Sequence, residues 1–186
     1  MIQITGGKFK KKKLHSINDF VRPTSSMKRE ACFSIIESYA VKNSINLYKN
    51  KIFLDLFAGI GTMGLEAISR GMHKAIFFEN NPDVIHVLKK NCLSICKKDE
   101  FTIYDEDIII SKLEIEFKNI SIIYIDPPYG KYNLTDILIN LKNKINSYAL
   151  IALETSLKDK FEVPENMVLF SKKSYGKTVI SFLKLS

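Results

Sequence analysis

The sequence predicts an α/β fold built on a doubly wound, mostly parallel sheet of seven strands that finishes with a C-terminal antiparallel hairpin. From Lys51 onward, short apolar segments alternate with segments of helical periodicity, which is typical of strand–helix–strand units with right-handed crossovers. Residues 122–125 are apolar without alternation, as expected for a strand that is buried on both faces. After Glu154 the pattern changes to two β-type segments joined by a turn, which predicts the hairpin.

The elements follow in order along the chain. The predicted strands are residues 52–57, 75–78, 101–104, 122–125, 148–153, 167–172 and 178–185. The predicted helices are residues 62–70, 82–95 and 134–145, and a short helix or loop runs from the third strand through Leu113. Pro127 and Pro128 cannot donate ladder hydrogen bonds, so the fourth strand must end at Asp126.

The N-terminal 45 residues have a different character and form a predicted substrate-contacting extension, whereas residues 46–186 form the main domain. Residues 1–14 predict a small β-hairpin with a Gly6-Gly7 turn and a second strand rich in lysine. Residues 19–40 then contain an amphipathic helix for which Thr24, Ser25 or Ser26 is available as the N-cap.

Composition restricts the class of protein. The chain has 186 residues, of which 46% are hydrophobic and 26% charged, and these values are ordinary for a globular protein. The formal net charge of +8 is weak evidence for nucleic acid, but five of the lysines lie together in residues 8–13 with no acid among them, which suits a phosphate backbone. Three cysteines without CxxC spacing indicate no metal site. We see no signal peptide and no apolar run of about 20 residues, so we expect a cytoplasmic protein without a membrane span.

A glycine-rich loop lies between the first strand and the next helix. Gly59, Gly61 and Gly64 form a GxGxxG pattern, and Glu79, twenty residues past Gly59, is placed to accept both ribose hydroxyls of a nucleoside. This pattern also fits a dinucleotide enzyme. Asp55 favours a nucleoside that carries an amino acid over a dinucleotide, because a carboxylate at that point would crowd a pyrophosphate but would suit an ammonium group. We place Asp107 at the adenine edge of the ligand, with Asp105 and Glu106 as open alternatives.

The segment from Asp126 to Tyr129 predicts a second site. The carboxylate of Asp126 and the carbonyl of Pro127 are acceptors without a donor beside them, and Tyr129 offers a flat ring. Such a pocket would receive a planar ring that carries an amino group. Catalysis in such a pocket would consist mostly of orienting the amine and of electrostatic stabilisation.

These residues resemble a known family. The segments IQITGGKFKKKKL, VRPTSSMKREACFSII, LDLFAGIGTMGLEAISRG, IDPPY and ALIALE resemble the bacterial RsmD family of 16S ribosomal RNA guanine-N2 methyltransferases. The resemblance covers nearly the whole chain and implies a Rossmann-like fold, S-adenosyl-L-methionine as cofactor, and ribosomal RNA or an assembling small ribosomal subunit as partner. The lysine arm departs from the family, which commonly alternates glycine with arginine there, and Asn80-Asn81 follow Glu79 where the family often has an aspartate.

Together the pattern and the resemblance give three sets of predicted site residues. The predicted catalytic residues are Asp126, Pro127, Pro128 and Tyr129. The predicted cofactor-binding residues are Asp55, Phe57, Gly59, Gly61, Thr62, Gly64, Glu79, Asn80, Asp107 and Asp126. The predicted RNA-binding residues are Lys8, Lys10, Lys11, Lys12, Lys13, Arg22, Thr24, Lys28 and Arg29.

The preferred function is methylation of guanine N2 by a monomer. Three alternatives remain at this point: an adenine-N6 methyltransferase of DNA or RNA, an NAD-dependent oxidoreductase, and a non-catalytic RNA-binding or assembly factor. The Asp-Pro-Pro-Tyr segment serves both purine bases, so the choice of guanine rests on the N-terminal resemblance.

Overall fold

A computed structural model describes residues 2–17, 25–107, 115–128 and 130–186. The described helices are α1 (Ser26–Lys42), α2 (Thr62–Ser69), α3 (Pro82–Ile95) and α4 (Leu134–Lys142). The described strands are β1 (Ile52–Asp55), β2 (Lys74–Phe78), β3 (Phe101–Tyr104), β4 (Ile120–Ile125), β5 (Leu150–Ser156), β6 (Met167–Tyr175) and β7 (Thr178–Leu185).

The strands form one sheet in the order β3-β2-β1-β4-β5-β7-β6. The first five strands of this order are parallel to one another, and β7 pairs antiparallel with both β5 and β6. This confirms the predicted doubly wound sheet with its C-terminal hairpin. The order of the chain reverses between β1 and β4, and a crevice at the carboxyl ends of the strands is expected at such a point.

Two apolar clusters cover the two faces of the sheet. Side chains of α1, α2 and α3 pack on one face, where Phe53 of β1 and Ile122 of β4 are fully buried. Side chains of α4 pack on the other face, against Leu54 and Ile123 of the same two strands. Alternate residues of the central strands therefore enter opposite clusters, which explains why residues 122–125 lack an apolar/polar alternation.

The N-terminal hairpin has less strand pairing than predicted. A single antiparallel bridge joins Gln3 to Lys13, and the residues between them form bends and turns rather than two strands. Lys8, Lys10, Lys11, Lys12 and Lys13 are all exposed. The tip of the hairpin is fixed to the end of α2, because the N–H of Lys8 donates to the carbonyl of Ser69 at 2.7 Å.

A buried charge network joins the hairpin and α1 to α2. Glu66 of α2 is fully buried, and its carboxylate accepts from the backbone and hydroxyl of Thr5, each at 2.8 Å, and from Nε of Arg70 at 3.0 Å. Arg29 is 1% exposed; its Nε lies 3.7 Å from Glu66, and its guanidinium donates to the carbonyl of Gln3 at 2.6 Å. The predicted RNA contact of Arg29 is therefore wrong, because its charge is buried against the protein.

Both predicted parts of the chain share one apolar cluster. Cys32, Phe33 and Ile36 of α1 belong to the same buried cluster as Phe53 and Ile122 of the sheet. The functional boundary at residue 45 stays a prediction, but packing is continuous across it. Ser25 is the N-cap of α1, one of the three alternatives left open by the sequence.

Several element boundaries differ from the prediction. β1 ends at Asp55 rather than at residue 57, and β4 begins two residues earlier than predicted, at Ile120. β5 extends to Ser156, where β7 continues to pair with it. Residues 108–114, which include the predicted helix or loop through Leu113, lie outside the described residues. None of the helices that the structure describes is long and apolar enough to cross a membrane.

Candidate active site

A cavity of about 410 Å³ opens at the carboxyl edge of the sheet, over β2, β1, β4 and β5. It lies where the chain order reverses, as expected for a doubly wound fold. Asp55, Glu79, Asp107, Asp126 and Glu154 all line it. A single cavity therefore brings together both predicted sites, the glycine-rich loop and the Asp-Pro-Pro segment.

The glycine-rich loop shapes one wall of this cavity. Gly59 and Gly61 have φ angles of 54° and 87°, a left-handed conformation that favours glycine. Gly61 is the N-cap of α2, so the helix begins directly beside the loop. Gly64 serves packing instead, because a Cβ on it would lie 2.3 Å from the ring of Phe77 on β2. Among the three glycines only Gly59 lines the cavity.

Asp55 is a buried carboxylate at the end of β1. It is 1% exposed, and neither of its oxygens completes a hydrogen bond of ordinary geometry with the described residues. Burial raises the pKa of Asp55 to about 7, and the charge of Glu79 adds to this rise, while the backbone N–H groups of Gly64 and Phe57 oppose it. A cation bound in the cavity would supply the missing partner and favour the ionised form.

Glu79 follows β2 and is held by backbone donors. Its Oε2 accepts from the N–H of Gly59 at 3.0 Å, and its Oε1 accepts from the N–H groups of Asn80 and Asn81 at 3.0 and 2.9 Å. These bonds fix the carboxylate at the rim of the glycine-rich loop. Asn81 is also the N-cap of α3, accepting from the N–H groups of Asp83 and Val84.

The far wall beyond β3 is polar at its edge. Glu106 and Asp107 both line the cavity, whereas Asp105 does not, which leaves two of the three predicted alternatives. The hydroxyl of Tyr132 donates to Oδ1 of Asp107 at 2.7 Å, and the ring of Tyr132 packs edge-on against Phe57 at 4.9 Å. This contact joins the segment after β4 to the segment after β3.

Asp126 lies next to a second buried acid. Burial, and then the charge of Glu154, raise the pKa of Asp126 to about 8, whereas the ammonium of Lys28 lowers it. Glu154 is 2% exposed; its Oε1 forms an ion pair with Lys28, and its Oε2 accepts from the hydroxyl of Tyr124 at 2.5 Å. We call the part of the cavity lined by Asp126 and Glu154 its acceptor end. It contains these two carboxylates and the ammonium group of Lys28.

The structure places most of the predicted cofactor-binding and catalytic residues at the cavity. The predicted residues that line it are Asp55, Phe57, Gly59, Thr62, Glu79, Asn80, Asp107, Asp126, Pro127 and Pro128. Tyr129, Arg22 and Thr24 lie outside the described residues. The sequence did not predict that Tyr124, Tyr132 and Glu154 line the cavity, and it placed Lys28 only among the RNA-binding residues. An acid at the end of a buried strand was the available signal for Glu154.

Among the residues that the structure describes, no group of three or more His, Cys, Asp or Glu side chains could hold a metal ion. The three cysteines are free and buried, and burial raises their pKa values well above the ordinary value. They are therefore neutral apolar groups of the core.

The fold and the position of the cavity, together with the proteins that the chain resembles, define the class of the protein: it is a Rossmann-like methyltransferase. The chain matches solved structures of this class along its length. A solved protein from Escherichia coli, named "Putative methyltransferase", is 26% identical with a TM-score of 0.82, over 100% of this chain and 98% of that one. An RNA methyltransferase from Salinibacter ruber, solved in complex with S-adenosyl-L-homocysteine, has the same fold at 11% identity, with a TM-score of 0.61 over 88% and 94% of the two chains.

The family follows from the sequence comparisons. Residues 2–184 match the family model described as "Conserved hypothetical protein 95". Ribosomal RNA small subunit methyltransferase D of Buchnera aphidicola is 33% identical over 92% of this chain and 87% of its own length. The protein of the same name from Haemophilus influenzae is 28% identical over 94% and 89%. The chain therefore belongs to the family of the ribosomal RNA small subunit methyltransferase D proteins, which is the RsmD family that its motifs predicted.

Proposed function

We propose that this protein is an S-adenosyl-L-methionine-dependent methyltransferase that methylates the exocyclic N2 amine of a guanine in small-subunit ribosomal RNA. The observation that carries the proposal is that Asp55, Glu79 and Asp126 face one cavity at the switch point of the sheet. The names of the relatives from Buchnera aphidicola and Haemophilus influenzae support the RNA substrate.

The residues of the cavity fit the cofactor along its length. Glu79 is already fixed by three backbone N–H groups, two at Oε1 and one at Oε2, so one lone pair of Oε2 remains for a ribose hydroxyl. Asp55, whose oxygens complete no hydrogen bond with the residues that the structure describes, would pair with the ammonium of the methionine part. Glu106 or Asp107 would accept from the adenine amine. When bound, S-adenosyl-L-methionine supplies a methyl group activated by a sulfonium.

The chain's own part in the reaction is to hold the amine. The lone pair of an aryl amine is delocalised into the ring, so the nitrogen is a weak nucleophile until acceptors bind its N–H groups. The ionised carboxylate of Asp126 and the carbonyl of Pro127 supply these acceptors, and Tyr129 would stack on the base. Pre-positioned acceptors lower the barrier without reorganisation during the reaction. The raised pKa of Asp126 also suits it to receive a proton late in the reaction.

The target base must be unpaired or turned out of its helix to reach this cavity. In this proposal the lysine hairpin lies away from that base. Its tip is held at Ser69, at the C-terminal end of α2, whereas Thr62 at the other end of this eight-residue helix lines the cavity. A helix of this length spans about 12 Å. The exposed lysines would therefore bind phosphates that flank the target nucleotide, and each would act as a point charge.

The experiment that tests the proposal uses small ribosomal subunits that lack their base methylation. The purified protein is incubated with them and with labelled S-adenosyl-L-methionine, and the RNA is digested and mapped by mass spectrometry. We expect one N2-methylguanine. N6-methyladenine as the product would favour the adenine alternative, and the absence of transfer to any RNA or particle would contradict the proposal.

A further inference from the structure

A buried ion pair borders the acceptor end of the cavity. Lys28, in the first turn of α1, contacts Oε1 of Glu154, and its side chain is 16% exposed against 2% for Glu154. The hydroxyl of Tyr124 holds the other oxygen of Glu154 at 2.5 Å. Lys28 also lines the cavity, so its ammonium is both fixed in place and open to a bound group.

The strand register places this pair beside Asp126. Ile125 of β4 pairs with Leu153 of β5, so Asp126 and Glu154 are the next residues on neighbouring parallel strands. Neighbouring strands lie about 4.8 Å apart, and paired residues point to the same face of the sheet. This separation is comparable with the width of the hydrogen-bonding edge of a purine.

The order of groups across the sheet assigns the pair to the target base rather than to the cofactor. Glu79 follows β2, Asp55 ends β1, Asp126 follows β4 and Glu154 lies on β5, and these strands are consecutive in the sheet. With the ribose at Glu79 and the ammonium at Asp55, the cofactor occupies the β2 and β1 side. Lys28 and Glu154 lie on the opposite side of Asp126, where the rest of the base would extend.

We propose that Lys28, held by Glu154, donates a hydrogen bond to O6 of the target base and thereby selects guanine over adenine. This inference rests on the proposed function. The hydrogen-bonding edge of guanine presents the N2 amine, N1–H and O6 in that order, which are donor, donor and acceptor. Asp126 accepts from the N2 amine, Glu154 has lone pairs left for N1–H, and Lys28 has N–H groups left for O6.

Adenine does not match this set of groups. An adenine with its N6 amine at Asp126 would present the acceptor N1 to the carboxylate of Glu154, so two acceptors would face each other. Buried polar groups left without partners are the basis of strong discrimination between similar substrates. The pair of Lys28 and Glu154 would therefore supply the base selectivity that Asp126 and Pro127 alone do not.

The test compares guanine with 2-aminopurine at the target position of a synthetic RNA fragment or of a subunit reconstituted from it. 2-Aminopurine keeps the amine that is methylated but lacks O6 and N1–H. We expect the wild-type protein to prefer guanine in single-turnover rate by on the order of a hundredfold or more. At a pH well above the pKa of Asp126, where that carboxylate is ionised with or without the lysine, Lys28→Met should lower this preference by about tenfold, because guanine loses its partner at O6 and 2-aminopurine has no O6 to lose.

Two further variants separate recognition from folding. The double variant of Lys28→Met with Glu154→Gln removes the uncompensated buried charge and should lower the preference further, because the glutamine amide can donate to the N1 acceptor of 2-aminopurine. Lys28→Arg keeps a cationic donor and should retain part of the preference. The matched control is Lys42→Met, which changes an exposed lysine in the last turn of the same helix and should leave the preference unchanged.

Each contrary outcome has a distinct meaning. At this high pH, equal loss of both rates in Lys28→Met would overturn the inference and show that the lysine only stabilises the fold. A selective rise in the Kd for S-adenosyl-L-methionine would overturn it in favour of a contact with the cofactor. Failure of the wild-type protein to methylate guanine would overturn the proposed function itself, and this inference with it.

Discussion

Replacement of Asp55 by asparagine gives a quantitative test of the cofactor site. Burial raises the pKa of this carboxyl from an ordinary value of 3.8 to about 7. The folded protein thus binds the proton more tightly than the unfolded chain does. Ionisation of Asp55 therefore destabilises the folded protein. This cost is absent below the unfolded-state pKa and grows as the pH rises, until it is complete above the folded-state pKa. The two values set an upper bound of about 4 kcal/mol on this cost.

Asparagine cannot ionise, so Asp55→Asn should become more stable relative to the wild-type protein as the pH rises. Between about pH 5.5 and about pH 8 the relative gain should be about 2 kcal/mol, which corresponds to roughly 4–8 °C in Tm for a chain of this size. Calorimetric melting of both unliganded proteins at the two pH values measures this difference. Asp99→Asn, which changes an exposed aspartate, is the control and should show no such dependence.

The same variant should lose affinity for the cofactor. At a ligand concentration of about one hundred times Kd, binding stabilises the wild-type protein by about 2.7 kcal/mol. Asp55→Asn lacks the charge that would pair with the ammonium, so most of this stabilisation should disappear at the same ligand concentration. Unchanged cofactor stabilisation in Asp55→Asn, or a relative stability that does not vary with pH, would refute the role given to Asp55.

Three other predictions concern the acceptor site, the packing of the loop and the RNA surface. The kcat/KM of methyl transfer should rise with pH to a midpoint near the pKa of Asp126, which is about 8, because the ionised carboxylate accepts from the amine better than the protonated carboxyl does. In pH–rate profiles this midpoint should move to higher pH in Lys28→Met and to lower pH in Glu154→Gln; no movement would contradict the coupling. Gly64→Ala should destabilise the protein by about 1–3 kcal/mol in urea unfolding, since the new Cβ meets Phe77, and Phe77→Leu in the same chain should recover part of the loss. Replacement of Lys10, Lys11, Lys12 and Lys13 by glutamine should raise the KM for RNA and reduce the slope of log K against log salt by roughly 0.7 for each phosphate that is no longer neutralised. Glutamine at the exposed Lys49 and Lys118 serves as the control, and equal effects there would argue against a specific surface.

Local sequence signals predicted the strands and helices well where they were strong. The helix of residues 82–95 was predicted with its observed bounds, because Asn81 caps it and Pro82 occupies its first position. Residues 122–125 were predicted as a buried strand because all four are apolar. They are apolar because clusters cover both of their faces. The glycine-rich loop and Asp126 were placed at one edge because parallel strands share their carboxyl ends.

Contacts between distant parts of the chain could not be read from the sequence. Lys28 and Glu154 are 126 residues apart and Tyr124 is 30 residues from Glu154, so no spacing rule links them. The charge of Arg29 was expected at the surface because arginine is seldom buried. Its burial depends on Glu66, which lies on a different helix. The lysine hairpin was identified by composition, but its attachment to Ser69 sets its distance from the cavity.

Asp126→Ala provides the most direct test of the proposed mechanism when methyl transfer and cofactor binding are measured on the same preparation. We expect the rate of methyl transfer to RNA to fall by on the order of a hundredfold or more, since the principal acceptor for the amine is removed. The Kd for S-adenosyl-L-methionine should stay within a few-fold of the wild-type value, and Asp136→Ala, at an exposed position of α4, should change neither quantity. An Asp126→Ala protein that methylates guanine at the wild-type rate would contradict the mechanism.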